Sequence, residues 1–107
     1  MSALKKAEPF SAQNLADYQN GAIVSLQVMK AEAGNVTFFT FDEGQELSEH
    51  TAPFDALLHV LDGEAEVRIS GHPFLLKAGE AIILPANEPH AVRAVKRFKM
   101  LLTMIRA

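Results

Sequence analysis

Four histidines, His50, His59, His72 and His90, carry most of the chemistry open to a chain that has no cysteine. An imidazole can donate or accept a proton near neutral pH, and it can ligate a transition metal. Without thiols, a thiolate nucleophile, a disulfide framework and a cysteine metal site are all excluded. His50 sits in the stretch GQELSEHTAPFDALLHVLDGE, Gly44 to Glu64, and His90 follows the proline-bounded loop of LPANEPHAV. If both rings face one space, they can anchor a ligand, share a metal ion, or work as an acid and base pair. No serine or cysteine nucleophile setting is visible beside them.

The elements that must position these rings read as strands. Apolar runs of five to eight residues are punctuated by Gly21, Gly34, Gly44, Gly63, Gly71 and Gly79, with Pro53, Pro73, Pro85 and Pro89 between them. Such punctuation marks strands and turns. The expected strands are Ile23 to Lys30, Val36 to Phe41, Ala56 to Leu61, Ala65 to Ser70, Phe74 to Leu76, Ala81 to Leu84, His90 to Val95 and Lys99 to Ile105. FSAQNLADYQ is expected to form one helical turn capped by Ser11 or Asn14. Asp62-Gly63 is expected to be a tight hairpin, glycine supplying the positive φ. Many short strands in 107 residues predict an all-β sandwich or barrel, with residues 1–20 as an N-terminal segment packed on a domain spanning 21–107.

Strand parity sorts the side chains. In ALLHVL, Ala56, Leu58 and Val60 share one face, and Leu57, His59 and Leu61 share the other. Both faces are largely apolar, so both need cover. A barrel interior covers one; a second copy of the chain covers the other, with the N-terminal segment as rival. A homodimer is therefore expected. His59 falls on the outer face, away from Ala56. His72, after Gly71, is expected in a solvent-facing turn.

Composition narrows the function classes. Thirteen acidic against ten basic side chains give a net charge of −3, which provides no global field for nucleic acid. Arg93, Lys96, Arg97 and Lys99 are clustered but have no interleaved aromatic platform, and read as a solvated loop and strand face. No stretch approaches the ~18 apolar residues of a membrane span, and no leader pattern precedes the first strand. A cytoplasmic protein without membrane or nucleic-acid partners is expected.

The spacing of Gly44, His50, Gly63, Gly79, Pro85 and His90 resembles the two motifs of the cupins, small jelly-roll β-barrels. The first motif is kept at Gly44, His50 and Gly63, while Ala52 stands at the second histidine position and Ala56 at the glutamate position. The second is kept at Gly79, Pro85 and His90, with Asn87 at a glycine position and Ala94 at an asparagine position. Fifteen residues separate the motifs, a family-like gap. The resemblance implies a single jelly-roll barrel with its pocket inside. It implies His50 and His90 as metal ligands, for iron, manganese, nickel or zinc. Two imidazoles fall short of the three or four protein ligands such ions usually take, and Glu49, Asp55 and Met104 are poor candidates to complete the set.

Two functional readings follow. In the preferred one, a small-molecule-binding cupin with little or no catalysis uses His50 and His90 as polar anchors in a pocket walled by Ala52, Ala56 and Leu58. In the alternative, a metal-dependent enzyme of the dioxygenase, isomerase or decarboxylase type holds its ion with the two histidines and waters. Metal-free acid and base catalysis by the pair is a third option.

Overall fold

The computed structural model describes residues 4–106. Its regular elements among these are a 3₁₀ turn, Ala12–Asn14, and nine strands: β1 (Ile23–Ala31), β2 (Gly34–Phe41), β3 (Glu46–His50), β4 (Ala56–Asp62), β5 (Glu64–Ile69), β6 (His72–Lys77), β7 (Ala81–Leu84), β8 (His90–Ala94) and β9 (Phe98–Ile105). They form two antiparallel sheets, one of five strands in the order β1-β2-β9-β4-β7 and one of four in the order β3-β8-β5-β6. The chain is an all-β jelly roll.

Alternation along each strand fills the space between the sheets. Phe41, Leu58, Val60, Phe98 and Met100 point inward from the five-stranded sheet, and Ala65, Val67, Val92 and Ala94 from the other; all are at most 3% exposed. Phe41 and Phe98 stack with centroids 4.4 Å apart. Burying a side chain such as Leu58 completely contributes about 1.5–3 kcal/mol, and the row of them holds the two sheets face to face.

Three local expectations need correction. β3 was not anticipated: ELSEH is mostly polar, because four of its five residues are exposed and Leu47 is the only apolar one. Asp62-Gly63 is not a hairpin, since β4 and β5 lie in different sheets. The turn is instead a corner that moves the chain from one layer to the other. Gly63 does have φ 77°, and a Cβ there would collide with the backbone carbonyl of Arg97. The glycine thus serves a close backbone approach as well as a left-handed conformation. Finally, the short turn is 3₁₀ and lacks a side-chain cap. The Ser11 carbonyl accepts from the Asn14 amide at 3.1 Å, and the Ser11 hydroxyl accepts from the Asn14 side chain.

The outer face of the five-stranded sheet is divided. At one end the N-terminal segment reaches it: the buried Lys99 Nζ donates to the Gln13 carbonyl at 2.6 Å, and the Tyr18 hydroxyl donates to the Asp62 carboxylate. Tyr18 lies under Arg97 and Lys99, whose cationic groups are 4.9 and 5.0 Å from its ring centroid. Lys99 is therefore not a solvated cation as expected. Its three neighbours in the basic cluster are each paired: Arg93 with Glu66, Lys96 with Glu64 and Arg97 with Asp42, at 3.0–3.3 Å. Among the described residues, no helix is long and apolar enough to cross a membrane.

Candidate functional site

β3 and β8 pair antiparallel and set His50 directly opposite His90. Leu47 already faces inward across from Val92, and strict alternation would put a residue three positions later on the other face. An irregularity between Leu47 and His50 adds one residue to β3 and brings His50 round to His90. The rings then meet edge to face, with centroids 4.4 Å apart and their Nε2 atoms 3.1 Å apart. His90 is buried at 7% exposure and His50 is exposed, so the pair spans from the barrel interior to solvent.

Each ring is held from behind in the same way. His50 Nδ1 lies 2.9 Å from the carbonyl of Ser48, and His90 Nδ1 lies 3.3 Å from the carbonyl of Glu88, two residues earlier in each case. This run of contacts, carbonyl to ring to ring to carbonyl, needs three protons if every link is to be a hydrogen bond. Two neutral imidazoles carry only two. With both rings neutral one link is unmade, and a proton, a cation or a ligand's own hydrogen-bonding group can complete the set. Burial, and then the neighbouring His50, hold the His90 pKa below its usual value, while the Glu88 carbonyl works in the opposite direction.

The loops around the pair are tied together. The Asn87 amide donates to the Ala52 carbonyl at 2.7 Å, and the Ala86 amide donates to Asp55 Oδ1 at 2.8 Å. The Ser70 hydroxyl donates to Glu88 Oε1 at 3.0 Å, and the Ser70 amide to the Pro89 carbonyl at 2.8 Å. Asn87 has φ 65°, a left-handed conformation that asparagine tolerates better than most residues. The two segments carrying the histidines therefore form one braced unit.

The other predicted residues are spread around this unit. Ala52 is half-buried in the loop before β4. Ala56 and Leu58 are buried at 6% and 0% exposure on the inner layer of the facing sheet, where Ala56 pairs with Leu84 and Met104 and Leu58 with Ile82 and Leu102. His59 lies on the outer face, opposite Ala81 and Leu101, and His72 begins β6 on the surface. Asp55 clamps the loop, and Glu49 is exposed. Sequence reasoning missed Ser48, Glu88 and Ser70 as positioning residues. Backbone carbonyls leave no signal in side-chain type, and only the serine and glutamate side chains could have hinted at the brace.

The donor set can be tested against a metal. Two nitrogens bound to one ion at about 2.0–2.1 Å, at angles between a right angle and the tetrahedral value, are roughly 2.9–3.4 Å apart, so the spacing of the pair fits. The donor count does not fit: among the described residues no group of three or more histidine, aspartate or glutamate side chains could hold an ion. Ala52 and Ala56 supply nothing.

The comparisons with known proteins agree with the architecture. Over 99% of its length the chain superposes on 93% of a conserved protein of unknown function from Streptococcus pyogenes, at 28% identity and a TM-score of 0.93. Over 87% of its length it matches 45% of a cupin 2 conserved barrel domain protein from Leptotrichia buccalis, at 42% identity and a TM-score of 0.84. A cupin superfamily protein from Desulfitobacterium hafniense shares the fold at 24% identity, with a TM-score of 0.91 and 99% and 97% of the two chains covered. No curated protein matches. The cupin domain profile matches residues 37–105, from β2 through β9 and across both histidine-bearing strands, and the chain belongs to the cupin family.

Proposed function

We propose that this cupin binds a small polar organic molecule at the mouth of its barrel, in the cytoplasm, with little or no catalysis of its own. His50 and His90 are the polar anchors, and Ala52, Ala56 and Leu58 are the apolar wall. The observation that carries this reading is the 3.1 Å Nε2 contact between rings that are each backed by a carbonyl. Such a pair is oriented in advance, so ligand binding does not have to order it. It can also both donate and accept, and its incomplete run of hydrogen bonds favours a ligand that brings a donor or acceptor of its own. In this reading the small side chains of Ala52 and Ala56 face the ligand's apolar part, with the buried Leu58 behind them.

Thermal shift with a panel of small organic acids, then of divalent metals, tests the proposal, because anything that binds only the folded form raises the melting temperature. An organic ligand should shift the wild type in the presence of chelator and fail to shift His90→Ala. The metal-dependent alternative keeps one point in its favour, the Nε2 spacing, and cupins often bind metals. A shift by iron, nickel, manganese or zinc alone, with one equivalent of metal per chain that is lost in His50→Ala, would replace the first reading with the second.

A further inference from the structure

The outer face of the four-stranded sheet, away from the barrel interior, carries a groove of about 340 Å³ that runs over β3, β8 and β5. Because Ala65, Val67, Val92 and Ala94 are buried on the inner side, alternation turns Glu66, Arg68, Ala91 and Arg93 outward. One wall is cationic. Arg93 leans toward β5, where its Nε donates to Glu66 Oε1 at 3.3 Å, and Arg68 Nε lies 3.6 Å from the same oxygen. The other wall is anionic. Glu46 stands opposite Arg93 on β3, and Glu49 lies one turn of the pleat further along; both line the groove and both are exposed. Among the described residues neither of these two carboxylates has a cationic partner. With Leu47 opposite Val92 and His50 opposite His90, Ser48 and Glu49 together face Ala91, so the smallest side chain of the floor lies between the walls.

We infer that this groove binds a small zwitterion of the free α-amino acid class, with its carboxylate against Arg68 and Arg93 and its ammonium against Glu46 and Glu49. The first reason is donor capacity. Two guanidinium groups carry ten N–H donors, which the two oxygens of Glu66 cannot occupy, and the remaining donors suit a second carboxylate. The second is charge. Two arginines meet three glutamates in the groove, so a plain anion faces a surplus of negative charge and a plain cation faces the guanidinium groups. A molecule with both charges satisfies both walls.

The third reason is order in advance. Glu66 holds both guanidinium groups in place, and the bulged segment is fixed from behind by the Ser48 carbonyl, 2.9 Å from His50 Nδ1. Binding therefore loses little side-chain freedom. The fourth is size. At about 340 Å³ the groove is at the lower end of the range for small-molecule sites. It recognises the two charges common to all amino acids and leaves the side chain toward solvent. The inference does not depend on what the mouth binds, because His90 faces inward with Val92 and the groove lies on the opposite side of the same sheet.

Amide chemical shifts of the full chain, labelled with nitrogen-15, test it with three probes on one carbon skeleton. L-alanine carries both charges, propionate only the negative one and ethylamine only the positive one. At low ionic strength, where exposed charges are least screened, L-alanine should shift the amides of Glu66, Arg68 and Arg93 saturably. Propionate and ethylamine, each lacking one set of charge-assisted hydrogen bonds, should bind at least about tenfold more weakly. Arg68→Gln and Glu49→Gln, both at exposed side chains, should each weaken L-alanine about tenfold and leave the spectrum away from the groove unchanged. His90→Ala should leave the affinity for L-alanine as it is. No saturable shift with L-alanine up to about 50 mM would overturn the inference. So would propionate binding as well as L-alanine, an affinity unchanged when Arg68→Gln and Glu49→Gln are combined, or binding lost in His90→Ala, which would put the amino acid at the mouth.

Discussion

His50 and His90 touch through their Nε2 atoms at 3.1 Å while a carbonyl two residues upstream backs each ring. Burial and the neighbouring imidazole keep His90 neutral below its ordinary titration range, so the unfolded chain binds a proton there before the folded one does. Its contribution to stability is then complete above about pH 6.5, the ordinary imidazole value, and is lost as the pH falls from there toward the folded pKa. Urea midpoints measured between pH 8 and pH 5 should drop over the lower part of that range for the wild type, and the drop should shrink in His90→Phe. A midpoint that rises on acidification would mean that the third proton is taken up in the folded state, reversing this assignment.

The histidine frame could be read from spacing, whereas the reason for its success could not. His50 and His90 are expected together because their intervals from Gly44 and Gly79 resemble the two cupin motifs. The contact itself depends on one extra residue in β3, between Leu47 and His50, that reverses the alternation. Bulges depend on pairing with a distant strand, here β8, and ELSEH shows no local sign of one. The same limit explains Asp62-Gly63. Positive φ at the glycine is a local property and was legible, but whether the next strand returns beside β4 or crosses to the other sheet is decided by packing between layers. Strands rich in apolar residues, such as Phe98–Ile105, were placed to within a residue. The outer face of Ala56 to Leu61 could be read from parity, but how far the N-terminal segment covers that face could not, since it depends on Lys99 meeting a carbonyl 86 residues away.

Gly63 and Gly71 have nearly the same backbone conformation, φ 77° and 81°, but different surroundings. A Cβ at Gly71 would meet open space, whereas at Gly63 it would run into the Arg97 carbonyl. Gly71→Ala should therefore cost only the left-handed penalty, about 1 kcal/mol. Gly63→Ala adds a backbone collision at the corner between sheets and should cost at least about 3 kcal/mol. Urea denaturation of the two variants side by side checks this. Equal losses would show that the corner gives way easily.

Thr40 is fully buried on β2, and its hydroxyl has no hydrogen-bond partner. Leaving a buried hydroxyl unsatisfied costs about 1–3 kcal/mol, and a methyl group of similar size removes that cost. Thr40→Val should raise stability by about 1 kcal/mol and the melting temperature by roughly 4–8 °C, making it a substitution that improves the barrel without touching the mouth. Differential scanning calorimetry would read the shift. A lower melting temperature would mean that the hydroxyl is satisfied in solution, most simply by an ordered water.

Lys99 is the buried link between the barrel and the chain that precedes it. Its ammonium donates to the Gln13 carbonyl and lies over the Tyr18 ring, and the Tyr18 hydroxyl, its pKa pushed upward by burial and then by Asp62, donates to the Asp62 carboxylate. Replacing the lysine by methionine keeps the apolar stem and removes the charged hydrogen bond, worth about 1.5–3 kcal/mol. If the segment is a separately opening unit, Lys99→Met should loosen it alone. Cleavage by chymotrypsin at Leu15 and Tyr18 should then accelerate roughly ten- to a hundredfold, in proportion to the opened population, while the barrel's urea midpoint changes little. Unchanged cleavage with a large loss in the barrel's midpoint would show instead that the segment and the sheets unfold together, and that residues 1–20 form part of one cooperative unit.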